Sequence, residues 1–105
     1  MKQVGQLNNP GCVYILTNKN KTTLYVGVTS ELINRVSKHK NHYYENSFSS
    51  RYNTTLLVYY RWFDTIEAAI TEEKRIKGGS RKKKIEMINS FNSEWRDLFE
   101  DLVIE

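Results

Sequence analysis

The sequence predicts an α+β fold: a small three-stranded, mostly antiparallel sheet, made of a β-hairpin and one central strand and flanked by helices. The predicted order is β-β-α-β-α-α, with a further helical piece at the C-terminus. Short runs rich in β-branched and aromatic residues lie at 12–16, 23–28 and 54–63. Between and after them, apolar residues recur at helical spacing, which separates this pattern from an all-β chain.

The first two runs form the predicted hairpin. Residues 17–22 between them are polar, and Asn18 and Asn20 accept turn conformations, so a hairpin is the simplest connection. The third run, 54–63, is the strongest strand signal in the chain. Its apolar character predicts a central or buried position in the sheet.

The first helix is predicted to follow an N-cap at Thr29 or Ser30 and to run to about His39. Residues 40–51 then have no sustained period and predict a loop. A loop of that length inside a compact domain is often functional.

A second helix is predicted over 66–77, capped by Asp64 or Thr65 and ended by a glycine pair. A third begins after a cap at Ser80 and runs to about Ser90. The final amphipathic piece needs an apolar surface to cover, and its large apolar residues are Trp95, Leu98, Phe99 and Leu102.

Length and composition are those of one small globular domain. The chain has 105 residues, of which 39% are apolar and 27% are charged. We predict a polar N-terminal arm over 1–10 and a single domain over 11–105 that ends in a helix. The lone Cys12 excludes an internal disulfide, and neither a signal peptide nor a membrane span is visible, which favours a soluble, cytoplasmic protein.

Positive charge is concentrated in one segment. The net charge is +4, and residues 74–84 carry seven basic residues and no acidic one, whereas 94–105 is acidic. A basic run is commonly only a solvated face, yet beside the loop aromatics Tyr43 and Tyr44 it also suits a nucleic-acid backbone. The residues predicted to bind nucleic acid are Tyr52, Lys74, Lys77, Arg81, Lys82 and Lys83.

Five side chains from three predicted elements form the candidate site. Tyr14 and Tyr25 occupy corresponding places on the hairpin strands, and Arg35 and His39 share one helix face. Glu73 lies near the apolar stripe of the second helix. Each has a structural alternative: a phenol that packs on the sheet with its hydroxyl outward, a solvated helix face, and an i,i+4 ion pair. Together they suit phosphodiester hydrolysis, which needs a deprotonated water and a cation near the phosphate oxygens.

The hairpin reads Cys12-Val13-Tyr14 and then Tyr25-Val26-Gly27, which resembles the two half-motifs of the GIY-YIG nucleases. The resemblance continues to the closing segment 91–98, Phe-Asn-Ser-Glu-Trp-Arg-Asp-Leu, and covers most of the chain. Segment 72–78, Glu-Glu-Lys-Arg-Ile-Lys-Gly, is similar to the small stand-alone bacterial branch related to the N-terminal nuclease module of the excision-repair incision enzyme. Several separated motifs in order are more specific than any one alone.

The resemblance implies a role for each motif residue. Tyr14 and Tyr25 match the two motif tyrosines, one of which is the family's proposed general base while the other positions the water; which is which stays open. Arg35 matches the arginine that steadies charge on the scissile phosphate. His39 matches a histidine that assists proton transfer or phosphate contact.

The resemblance also implies a cofactor and a partner. Glu73 matches the single acidic ligand of one Mg²⁺ or Mn²⁺ ion, completed by water and substrate phosphate. Gly27 and Asn92 match supporting positions, although Gly27 could simply end a strand and Asn92 could be only a cap for the last helix. The implied function is a metal-dependent DNA endonuclease in repair or recombination, directed by DNA structure rather than sequence, alone or with a protein partner.

The sequence departs from the family pattern at three positions. In the first half-motif, Cys12 stands where the name-giving glycine would be and Val13 replaces the isoleucine. After Gly27, Val28 stands where the repair relatives have a lysine that assists the base. The main alternative is therefore a non-catalytic nucleic-acid-binding module with the same fold. A third hypothesis is an interaction protein that docks through its acidic C-terminal helix.

Overall fold

The computed structural model describes residues 9–42 and 47–104. The strands are β1 (Gly11–Thr17), β2 (Leu24–Thr29) and β3 (Leu56–Phe63), and the helices are α1 (Leu32–Lys40), α2 (Phe48–Tyr52), α3 (Ile66–Lys77), α4 (Arg81–Phe91) and α5 (Phe99–Val103). The predicted α+β class and element order are confirmed, with α2 as an additional helix where the predicted loop ends. Most of the predicted arm, residues 1–8, and the aromatics Tyr43 and Tyr44 lie outside the described residues.

The strands form a three-stranded antiparallel sheet in the order β2-β1-β3. The prediction that the third strand is central is wrong: β1 pairs on both sides, and all of its residues are buried. On β3, Arg61 and Trp62 are exposed. An apolar run indicates burial but not the number of strands that pair with it, which is why the two strands could not be ranked from their composition.

The outer edge of β3 is covered by residues 92–98, which we call the edge segment. The Leu57 N–H donates to the Asp97 carboxylate at 3.0 Å, and the Leu98 N–H donates to the Leu57 carbonyl at 2.7 Å. A register shift opposite Ile15 and Leu16 leaves Val58 as an extra residue in β3. These contacts seal an edge that would otherwise expose unpaired backbone groups.

The two faces of the sheet pack against different helices. On the α3 face, Ala69 and Ile76 of α3 join Val13, Ile15 and other buried residues in one cluster. On the α1 face, α1 covers a second cluster that contains Cys12, Tyr14, Leu16, Leu32 and Val36. This division follows from the alternation of side chains along β1.

Local capping agrees with the predictions at two helices and differs at one. Thr65 Oγ1 accepts from the Ala68 N–H at 3.1 Å at the start of α3, and Ser80 plays the same part for α4. The N-cap of α1 is Glu31, one residue later than predicted. Thr29 Oγ1 instead accepts from the Glu31 N–H at 3.0 Å, so its hydroxyl orders the approach to the helix.

The C-terminal piece is shorter than its apolar pattern suggested. Helix α5 begins at Phe99, while Trp95 lies in a turn with φ of 55°, outside any helix. The Trp95 N–H donates to the Asn92 carbonyl at 2.9 Å, and its indole N–H donates to the Asn89 side chain at 2.6 Å. These bonds hold Trp95 in the turn rather than in a helix.

No helix among the described residues combines the length and the apolar character that crossing a membrane requires.

Candidate active site

Tyr14, Tyr25 and His39 form a compact group on the α1 face, which we call the ring cluster. In the register of β1 and β2, Tyr14 pairs with Gly27 and Leu16 pairs with Tyr25, so both phenols project from the same face. The ring centroids of Tyr14 and Tyr25 are 6.3 Å apart, and those of Tyr25 and His39 are 5.2 Å apart. The Tyr14 hydroxyl lies 3.1 Å from His39 Nε2.

Gly27 makes room for the Tyr14 phenol. A Cβ at position 27 would lie 2.5 Å from both Cζ and the hydroxyl oxygen of Tyr14. Carbon atoms in contact normally lie about 3.5–4.0 Å apart, so any larger residue would displace the ring. Gly27 therefore serves close packing against the site, which is more than ending a strand.

The two phenols differ in accessibility. Tyr14 has no exposed surface, whereas Tyr25 is half-buried. The alternative in which Tyr14 packs on the sheet with an outward hydroxyl is wrong, because that hydroxyl is hydrogen-bonded to His39. Tyr25 is the phenol that a ligand reaches more readily.

His39 is uncharged at neutral pH. Burial lowers the pKa of its imidazole to about 4, and the positive charge of Arg35, one turn earlier on α1, adds to that lowering. A neutral imidazole has one donor and one acceptor nitrogen, so Nε2 either accepts from the Tyr14 hydroxyl or donates to its oxygen, depending on the tautomer. In both cases His39 fixes the orientation of Tyr14.

Arg35 flanks the ring cluster from α1. It is half-buried and lines a polar hollow whose charged members are Glu31, Arg35 and Lys38. The two cations outnumber the carboxylate, and the field of Arg35 reaches His39. An anion that approached the ring cluster from this side would meet both cations beside the Glu31 carboxylate.

Glu73 lies on α3, which packs on the opposite face of the sheet from α1. Its side chain is 13% exposed and forms an ion pair with Lys77 at 2.8 Å, so the i,i+4 alternative foreseen from the sequence is present. Lys77 in turn lines an open hollow with Leu24, Tyr25 and Phe48 at the edge of β2. The structure thus connects Glu73 to Tyr25 through Lys77.

The Glu73 carboxylate suits a hard cation that is also bound by substrate, rather than a metal site closed by protein ligands. Within residues 9–42 and 47–104, no group of three His, Cys, Asp or Glu side chains is arranged to hold a metal ion, as a structural zinc site would need. Mg²⁺ is commonly bound through one or two carboxylates, several waters and a substrate phosphate. Glu73 alone fits that mode.

The predicted nucleic-acid-binding residues are exposed, but they are not equivalent. Lys74, Lys82 and Lys83 are exposed on α3 and α4. The Arg81 guanidinium donates to the Thr22 carbonyl at 2.9 Å, which ties the hairpin loop to the start of α4. Lys77 is paired with Glu73, and Tyr52 is a half-exposed member of α2.

Asn92 is integrated into the edge segment. Its Nδ2 donates to the Val58 carbonyl at 3.2 Å and to the Arg96 carbonyl at 2.8 Å, and its Oδ1 accepts from the Arg96 N–H at 3.1 Å. The amide thus bridges the edge segment to the bulge of β3. The suggestion that Asn92 caps the last helix is wrong, because the N-cap of α5 is Leu98, and Asn92 is instead the C-cap of α4.

Sequence reasoning missed two residues that the structure makes prominent. Phe48 was assigned to a loop, although its spacing of four from Tyr52 is that of aromatic neighbours on one helix face. Asp97 lies in the closing segment, and its sequence position predicts no role. It accepts from the backbone of Leu57 and binds the Lys40 ammonium, next to His39 in sequence, and nothing in the sequence signals those long-range partners.

Comparison with known proteins identifies the family of this chain. A family model described as the GIY-YIG catalytic domain matches residues 10–86, a span that contains Tyr14, Tyr25, Arg35, His39 and Glu73. Searches of curated proteins and of solved structures found no match. Because the family match covers well over half of the chain, this protein belongs to the GIY-YIG catalytic domain family, a family of nucleases.

Proposed function

We propose that this protein is a divalent-metal-dependent endonuclease that hydrolyses phosphodiester bonds in DNA, with residues 11–105 acting as one module. The observation that carries the proposal is the ring cluster, in which two phenols and a neutral imidazole meet on one sheet face beside a guanidinium. These groups answer two needs of phosphodiester hydrolysis: proton transfer and stabilisation of negative charge.

Within this proposal, the accessible Tyr25 accepts a proton from the attacking water. The buried Tyr14, which His39 orients, helps to position that water. Arg35 binds the non-bridging oxygens of the scissile phosphate. Tyrosine has an unperturbed pKa near 10, so it is a poor base unless positive charge lies nearby. Arg35 supplies part of that charge.

Glu73 is the residue proposed to hold Mg²⁺ or Mn²⁺. Its present partner Lys77 is 54% exposed and belongs to the same helix, so an incoming divalent cation can displace the ammonium into solvent. When bound, the ion supplies positive charge at the scissile phosphate and lowers the pKa of water. Lys77, released from Glu73, is then free to bind the strand backbone at the hollow it already lines.

The basic residues of α3 and α4 support DNA as the partner. Phosphate contacts of this kind give binding that depends on salt but little on sequence, so we propose recognition by DNA structure. A role in repair or recombination, and membership of the stand-alone bacterial branch, are supported by the resemblance of segments 72–78 and 91–98.

The test is cleavage of branched, nicked and plain duplex DNA with Mg²⁺ or Mn²⁺. We expect cleavage by the wild type, and rates at least about 100-fold lower for Glu73→Gln and Tyr25→Phe, since each removes a group that acts on the reaction. Glu72→Gln is the matched control: Glu72 is the preceding residue, is also 13% exposed and is paired with Arg75 at 2.6 Å. Undiminished cleavage by Glu73→Gln would refute the metal-ligand assignment.

A second candidate is a nucleic-acid-binding module without catalysis. It is favoured by the ion pair between Lys77 and Glu73, because the ammonium lies where a metal ion would bind the carboxylate. Its signature is DNA binding at low salt with no cleavage of any substrate by the wild type. In that case the Glu73→Gln variant would bind DNA as tightly as the wild type or more tightly, because a negative charge has been removed.

A further inference from the structure

An aromatic ladder leads from the ring cluster to the protein surface. Its members are Tyr25, Phe48 and Tyr52. The centroids of Tyr25 and Phe48 are 6.0 Å apart with their planes at 30°, and those of Phe48 and Tyr52 are 4.8 Å apart at 44°. The first ring belongs to the proposed active site, and the last two are each 46% exposed.

The exposure of the ladder rings and the cations beside them are not explained by packing within the fold. Single exposed apolar residues are ordinary on protein surfaces. Here two half-exposed rings are consecutive, they continue a buried cluster, and cations flank them on both sides. The Arg51 guanidinium lies 5.9 Å from the Tyr52 ring, and Lys77 lines the hollow in front of Tyr25 and Phe48.

Aromatic rings beside basic side chains are the means by which proteins bind single-stranded nucleic acid. Successive bases stack on the rings while cations follow the backbone. In a duplex both faces of each base are covered by its neighbours, so a base must be unstacked before it can reach a protein ring, at a cost of a few kcal/mol. The ladder therefore favours nucleotides that are already unpaired.

We propose that Phe48, with Tyr52, stacks an unpaired nucleobase next to the scissile phosphate, so that the substrate class is DNA with a single-stranded segment, such as a flap or a single strand. This inference rests on the proposed function, because it takes Tyr25 as the point where the phosphate lies. The Phe48 ring lies 6.0 Å from the Tyr25 ring, so a base that stacks on Phe48 belongs to a nucleotide close to that phosphate. Phe48 is thus a specificity residue that sits outside the ring cluster.

The experiment measures binding without cleavage, with Ca²⁺ in place of Mg²⁺ and with oligonucleotides that carry 2-aminopurine, whose fluorescence is quenched by stacking. Single-stranded, flap and plain duplex DNA are compared. For the wild type we expect tighter binding of the first two and a fluorescence change on binding. Phe48→Leu keeps an apolar side chain but loses the ring, and it should weaken single-strand binding about 5- to 150-fold while duplex binding stays the same.

Two variants control for general effects. Phe91→Leu alters a ring with 49% exposure on α4, which packs edge-on against Tyr59 and Tyr60 away from the ladder, and it should bind like the wild type. Phe48→Tyr keeps a stacking ring and should retain single-strand binding, which separates stacking from the integrity of α2.

The outcomes distinguish the two proposals. One outcome is that Phe48→Leu cleaves plain duplex DNA as fast as the wild type and that single and double strands bind with equal affinity. This outcome contradicts the stacking role of Phe48 but is compatible with the proposed nuclease. Stacking that depends on Phe48, without cleavage in Mg²⁺, supports the ladder and removes the nuclease. Absence of DNA binding at low salt overturns both.

Discussion

The two edges of the sheet use similar polar residues in opposite ways. At the edge of β3, Asp97 accepts from the N–H groups of Leu57 and Phe99 and also binds Lys40. Asn92 bridges the same edge segment to Val58. Both side chains are fully engaged by the fold, and each has a partner at least 34 residues away in sequence.

At the edge of β2, the described residues provide no further strand that pairs with it. Tyr25 and the hollow lined by Phe48 and Lys77 lie there instead. The ion pair between Glu73 and Lys77 involves neighbours on one helix, with the lysine more than half exposed. Contacts of this kind are cheaply exchanged for a ligand.

Polar residues at the two edges differ in how many hydrogen bonds and ion pairs they form, and in how far away in sequence the partners lie. Asn92 and Asp97 are as polar as Glu73, yet their hydrogen bonds hold the fold together. A polar residue with several long-range backbone partners is expected to govern stability. One with a local, exposed partner next to a hollow is expected to govern binding.

The largest stability effect is expected at the sealed edge. Asp97→Ala leaves the buried Leu57 N–H without its acceptor and removes the link to α1, so it should lower the free energy of unfolding by about 2–4 kcal/mol. Urea unfolding measures the change. Asp101→Ala is the control, since Asp101 and its partner Arg96 are both about half exposed, and it should cost less than about 1 kcal/mol. Equal losses would remove the distinction between the edges.

Gly27→Ala is expected to affect the site more than the fold. Its Cβ would displace Tyr14, at a cost of about 1–3 kcal/mol, and separate the hydroxyl from His39. Cleavage activity should fall together with this contact, and proton NMR should show a changed His39 environment. Gly78→Ala, whose Cβ would lie 3.4 Å from its nearest neighbour in a helical conformation, should be neutral or stabilise by up to about 1 kcal/mol.

The smallest expected effect is the pH dependence of stability that comes from the buried imidazole of His39. The pKa of His39 is lowered from 6.5 to about 4, so between these values the unfolded chain binds a proton that the folded chain does not. Stability attributable to His39 is therefore complete above pH 6.5 and is lost as pH falls towards 4. The loss should be about 1 kcal/mol between pH 6.5 and 5.5. Urea titrations at these pH values should show a shallower dependence for His39→Gln; an identical slope would argue against a neutral His39.

Much of the fold could be predicted because its signals are local. The apolar runs 12–16 and 23–28 predicted the hairpin. Thr65 and Ser80 predicted the starts of their helices, because an N-cap side chain binds a backbone N–H only three residues away. The ring cluster was also within reach of prediction. Two hairpin tyrosines and a histidine on the next helix follow from strand alternation and from the resemblance of the motifs.

The rest depended on contacts between segments distant in the chain. The position of β1 as middle strand required the partner of each edge to be known, and Asp97 acquires its importance only from Leu57 and Lys40, 40 and 57 residues away. Helix α2 was missed because five residues carry too weak a periodic signal and are held by ring contacts.

The sequence by itself determined the residue types, the element order and the family, because these reside in local propensity and in motifs that survive without coordinates. Tertiary structure alone decided that Tyr14 is buried against His39 while Tyr25 remains accessible, and that Lys77 links Glu73 to the hollow beside Tyr25. The physical reason is that burial and charge environment are properties of packed neighbours, and packing brings together residues that the sequence keeps apart.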